Sequence, residues 1–166
     1  MSDDEVGLAL WTWASYGQTS IAAEPADAAA AIILRADFIA PGGLAAIGEG
    51  TARIFPSCCC GIEEWREWQL LLEGGASPWL GHSPSPWVEC VGAAYRVWSD
   101  GGMGEEPAGP LVHVDFSREE LRAALEAAES DVRGFLRRVD VWAGHRAPDE
   151  RDALVVALTR GLRLDL

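Results

Sequence analysis

The passage from Leu111 to Trp142 constrains this 166-residue chain more than any other. LVHVDF alternates as a strand does, with Val112, Val114 and Phe116 on one face and Leu111, His113 and Asp115 on the other. Ser117 breaks the alternation and predicts a helix N-cap. Glu120, three residues on, completes a capping box, in which hydroxyl and carboxylate each satisfy a backbone N–H that a helix start leaves open. Phe116 and Leu121 stand at the staple positions on either side of that cap. Beyond it, Leu121, Leu125, Ala128, Val132, Phe135, Val139 and Trp142 recur at alternating steps of four and three, which draws one apolar stripe down a helix of about residues 118–142. The stripe needs an apolar surface to cover. The strand before it brings a sheet alongside, so packing across that sheet is expected rather than a coiled-coil seam.

The remaining elements arrange themselves around this pair. Val6 to Tyr16, VGLALWTWASY, reads as a central strand, with Leu8, Leu10 and Thr12 on one face and Ala9, Trp11 and Trp13 on the other. Residues 17–23 form a polar connection. Pro25 opens a helix through Ile32 and Ile33 toward Phe38, with a strand over Ala31–Ile39 as the rival reading. Leu44 to Phe55 is glycine-broken and holds at most a short helical turn. Ile62, Trp65, Trp68 and Leu72 predict a helix over about 62–73, ended by Gly74-Gly75. Three prolines and a glycine in Ala76–Pro86 make that stretch an extended cover. Trp87–Val91 and Tyr95–Ser99 read as a hairpin, which with the strand before Ser117 makes a three-stranded meander. A last helix starts near Pro148 and closes at Gly161, and Leu162–Leu166 either adds a short edge strand or frays. The fold class expected is α+β: one globular domain over residues 1–166, with an antiparallel sheet of about four strands and helices mainly on one face.

Charge narrows the function. The net charge is −13, and it is uneven: residues 1–110 hold 15 acids against 4 arginines, residues 111–166 hold 11 against 9. Such a surface disfavours nucleic acid and anionic membrane and speeds encounter with basic partners, although on charge alone solubility in an acidic proteome is the plainer reading. No run approaches the roughly 18 apolar residues of a membrane span, and the acidic start MSDDEV has the wrong sign for a secretory signal. A cytoplasmic protein with reduced cysteines is therefore expected. Lysine and asparagine are absent and all 13 basic residues are arginine. Both missing residues use AT-rich codons, which points to a high-GC bacterial genome.

Chemistry-bearing motifs are sparse. There is no phosphate-binding Gly-x-x-x-x-Gly-Lys, no Gly-x-Gly-x-x-Gly and no Gly-x-Ser-x-Gly elbow. Cys58, Cys59 and Cys60 are consecutive; in an extended backbone Cys58 and Cys60 point one way and Cys59 the other. A four-ligand zinc site could still be built from Cys58, Cys60, Cys90 and His82. Thiols packed beneath the Trp65 helix are the plainer reading. His82 lies in a tryptophan-flanked loop with no carboxylate in its motif. His113 and Asp115 share a strand face, which is more often simply solvated, and His145 suits a helix C-terminus. Arg133, Arg137 and Arg138 sit where a helix end favours cations. Accordingly no catalytic residue, metal or cofactor is assigned.

The function expected is a non-catalytic acidic protein-binding domain, of the kind that serves as an immunity or antitoxin-like protein against a basic toxin. The contact residues expected are Asp100, Glu105 and Glu106 in the glycine-rich loop, then Glu63, Glu64 and Glu67. The competing reading is a metal- or ligand-binding protein or an enzyme that uses the Cys58–Cys60 and His82 region.

Overall fold

A computed structural model describes residues 1–16, 24–35, 38–48, 52–107 and 109–164. The connection 17–23 and the end of the expected edge strand lie outside the described residues. The chain is α+β: among the described residues, five α-helices accompany two small antiparallel sheets. By its internal contacts it divides into two compact units, residues 1–40 with 129–166, and residues 41–128.

The first unit is helical. Helix α1 spans Asp3–Ser15, where a central strand was expected. Its buried residues are Val6, Gly7, Leu10, Trp13 and Ala14, the spacing of a helix face. A capping box starts it: Ser2 Oγ accepts from Glu5 N, and Glu5 Oε2 accepts from Ser2 N at 2.6 Å. Apolar residues on nearly every position of this segment imitate a buried strand, and the Ser-x-x-Glu signature ahead of them decides otherwise. Helix α2 runs Pro25–Ile33, with proline at its start as expected, and stops short of Phe38; the rival strand does not form among the described residues. Helix α5 covers Arg151–Gly161. α2 packs against both α1 and α5, and Trp13 meets Phe135 edge-on at 5.1 Å.

The second unit holds both sheets. Strands β1 (Ala46–Ile47) and β2 (Arg53–Ile54) pair where only a helical turn was expected. Ile62–Arg66 is a 3-10 turn that runs into α3, Glu67–Leu72. Strands β3 (Trp87–Val91), β4 (Ala94–Trp98) and β5 (His113–Ser117) form the meander in order. The larger sheet thus has three strands, fewer than expected, because β1 and β2 pair only with each other. Register aligns Val88, Val97 and Val114 on the core face and Glu89, Arg96 and Asp115 on the other. Trp68, Leu71, Leu80, Leu121 and Leu125 complete that core.

Helix α4, Arg118–Arg146, follows β5 without a break. Its capping box is in place: Ser117 N donates to Glu120 Oε2 at 2.7 Å and Glu120 N donates to Ser117 Oγ at 3.2 Å. Phe116 and Leu121 both pack in the sheet's core, as staple residues should. The stripe is not dedicated to the sheet alone: residues 118–128 count with the second unit and 129–146 with the first. Among the described residues no helix is long and apolar enough to cross a membrane.

Candidate functional site

The chemistry of the second unit gathers where two loops run side by side. Ser57 N donates to Leu80 O at 2.8 Å and His82 N to Cys58 O at 3.3 Å, so residues 57–58 and 80–82 pair like a fragment of antiparallel sheet. Ser57 Oγ lies 2.8 Å from His82 O and 2.6 Å from Pro84 O, which shares its one proton between two carbonyls. Gly81 is required at the crossing. Its φ is +90°, and a Cβ there would sit 2.5 Å from Cys58 O.

The cysteine run does not stay extended. Cys59 has φ +62°, a left-handed conformation that a residue with a Cβ seldom adopts. That turn breaks the alternation expected of Cys58–Cys60. Cys58 and Cys59 face solvent together, and Cys60 is buried with Sγ 3.5 Å from Trp79 O. Donor atoms of Cys58, Cys59 and His82 all fall within 4.8 Å of one another. Cys58 Sγ is 3.4 Å from His82 Nδ1 and 3.9 Å from Nε2, and donates to His82 O at 2.9 Å. Trp79 Nε1 donates to Cys59 O at 2.8 Å, which fastens the turned residue. The four-ligand set of Cys58, Cys60, Cys90 and His82 is therefore not assembled. Cys60 points into the core, and Cys90 is exposed on β3 opposite Tyr95. Removal from water raises the Cys59 thiol above its ordinary pKa, with the neighbouring Cys58 adding to it. Burial pushes Cys60 up to about 12, helped by Glu64 and then by Glu63 and Glu67.

The expected acidic contacts separate into two groups. Glu64 Oε2 accepts from Gly61 N at 3.1 Å, starting the 3-10 turn, and Glu67 Oε2 accepts from Trp79 N at 2.7 Å, anchoring the cover loop. With Glu63 they border the buried Cys60. Asp100, Glu105 and Glu106 line one cleft of about 500 Å³ with Ser83, Pro84, Ser99, Gly109 and Pro110. Asp100 Oδ1 accepts from Ser85 N and Gly101 N, each at 2.8 Å, so it braces the cleft from inside. Glu105 and Glu106 are exposed.

A second acidic cleft, in the first unit, carries residues the sequence did not single out. Asp3, Asp4, Glu24 and Asp27 line it with Leu8, Trp11 and Arg146. Its acids stand at the starts of α1 and α2; with α1 read as a strand, nothing in the sequence joined them. His113 is exposed on the sheet's outer face 3.9 Å from Asp115, and His145 sits in the last turn of α4, 3.7 Å from Asp3. Compared with known proteins, the chain matches no family model, and neither a curated sequence nor a solved structure is significantly similar to it.

Proposed function

We propose that this protein is a non-catalytic acidic binding domain of the immunity or antitoxin type, which neutralises a basic protein by docking carboxylates over it. One observation carries the reading: the cleft lined by Asp100, Glu105 and Glu106 contains three carboxylates and no cation among its lining residues. The acidic cleft of the first unit is weaker support, because Arg146 shares it and its acids suit helix N-termini on their own account. In the second unit, Asp100 shapes the loop while Glu105 and Glu106 meet the partner. The net charge of −13 then speeds the encounter.

Binding of a labelled oligo-arginine peptide, followed against salt, tests this. The double variant Glu105→Gln/Glu106→Gln is expected to weaken binding several-fold and to flatten its salt dependence. The double variant Glu119→Gln/Glu126→Gln removes equal charge from exposed positions of α4 and should do much less. Equal losses in the two variants would mean that bulk charge acts and the cleft does not.

A further inference from the structure

We infer that Cys58, Cys59 and His82 form a binding site for a thiophilic d10 metal ion, zinc(II) or copper(I). This goes beyond the protein-binding reading, and none of its three ligands is a carboxylate.

The donor set has the right chemistry and the right spacing. Two thiolates and one imidazole are soft-to-borderline ligands that select zinc or copper(I) over calcium or magnesium. Ordinary zinc bonds of about 2.3 Å to sulfur and about 2.0 Å to nitrogen, arranged tetrahedrally, place sulfur and nitrogen about 3.5 Å apart. Cys58 Sγ and His82 Nδ1 already stand 3.4 Å apart, and all three donors fall within 4.8 Å of one another. Closing on an ion asks only for small side-chain adjustments.

The backbone around the donors is built to hold them there. Cys59 occupies the left-handed region at φ +62° and Ser83, just after His82, at φ +60°. Neither residue type adopts that conformation cheaply, and such departures gather where function requires a fixed geometry. Here the turn at Cys59 brings two adjacent thiols to one side, an arrangement that an extended strand forbids. The His82 hook is joined to the cysteine hook by paired backbone hydrogen bonds and by Ser57 Oγ. Trp79 fastens Cys59 through its indole N–H, its ring lies 6.1 Å from that of His82, and its own backbone N–H is held by Glu67. Outer contacts of this kind orient ligands and support affinity.

Three protein donors leave one tetrahedral position open. Both cysteines are exposed, so that position faces solvent and takes water or a partner's group. Loading is a proton exchange: the ion enters, the two thiols each release one proton, and the neutral imidazole binds through a ring nitrogen.

The test uses the full chain, reduced and stripped of metal. Zinc(II) is titrated against a chromophoric chelator, cobalt(II) serves as a spectroscopic probe for thiolate ligation, and copper(I) is titrated anaerobically in a separate arm. One equivalent of zinc or copper is expected. It should shield Cys58 and Cys59, but not Cys90, from alkylation. Cys58→Ser and Cys59→Ser should each weaken binding on the order of 100-fold, and His82→Ala at least about 10-fold. Cys90→Ser should bind as the parent does. Circular dichroism on each variant confirms its fold. The proposal fails if neither ion binds at micromolar concentration, or if an equivalent still binds to the Cys58→Ser/Cys59→Ser chain. Failure here leaves the Glu105/Glu106 reading standing, because probe and residues differ.

Discussion

Arg96 grips Asp115 across neighbouring strands through two parallel hydrogen bonds, Nε to Oδ1 and Nη2 to Oδ2, each of 2.7 Å. The pair lies on the sheet's outer face, in register between β4 and β5. The hydrogen bonds from Arg96 hold the Asp115 carboxyl below its ordinary value of 3.8. A carboxyl depressed in the fold contributes stability above its unfolded pKa and loses it as pH falls through the folded value. Asp115→Asn is therefore expected to lower stability slightly at neutral pH, as exposed ion pairs do. The difference from the parent should shrink as pH falls from 3.8 through the lower folded value, read by urea denaturation across an acid pH series.

Cys60 behaves in the opposite sense. Burial raises it from 9.0 to about 12, so the fold favours its neutral thiol. Its contribution to stability is complete below about pH 9 and drains away as pH rises toward 12. Native protein alkylated at pH 8–9 should react at Cys58, Cys59 and Cys90 and leave Cys60 unmodified, with Cys60 reacting only after denaturation. Mass spectrometry of the digested chain reads this directly. Equal labelling of all four cysteines would contradict the burial of Cys60.

Leu8 and Leu10 separate the two readings of the first segment. On a strand they share a face and matter alike. In helix α1, Leu10 is 0% exposed and Leu8 is 62% exposed. Leu10→Ala should cost about 2–5 kcal/mol, and Leu8→Ala should stay within about 0.5 kcal/mol, by chemical denaturation.

Gly81→Ala attacks the crossing of the two hooks. The new methyl meets Cys58 O, and the backbone is held at φ +90°. A loss of more than about 1 kcal/mol is expected, together with faster hydrogen exchange at His82 N. An alanine variant as stable as the parent would show that the hooks do not pair as described.

What the sequence disclosed follows the reach of each interaction. Ser117, Glu120 and the stripe after them act within a few turns of one another, and they read correctly as cap and helix. Trp87–Val91 and its return strand are likewise local. Helix α1 was misread because Leu8, Leu10 and Thr12 alternate with Trp11 and Trp13, so apolar residues fall on every side and neither period wins. β1 and β2 contribute two residues each, too few for any alternation to show. At the site, pairing of Cys58 with His82 closes a loop of 24 residues, and no local signal announces it. Nor does composition reveal that Cys59 turns left-handed, the single torsion that decides which thiols meet. The acids divide in the same way: Glu105 and Glu106 stay exposed as a glycine-rich loop suggests, Glu64 turns back on Gly61 N three residues before it, and Glu67 accepts from Trp79 N, which only folding brings near.

The segment from His82 to Ser85 faces two ways. Ser57 holds it through the His82 and Pro84 carbonyls, and Asp100 holds Ser85 at its end beside the carboxylate cleft. An occupant that stiffens either end alters the freedom left to the other. On the two proposals above, thermodynamic reciprocity requires a metal ion at the thiols and a basic partner at the cleft to change each other's affinity by one shared factor.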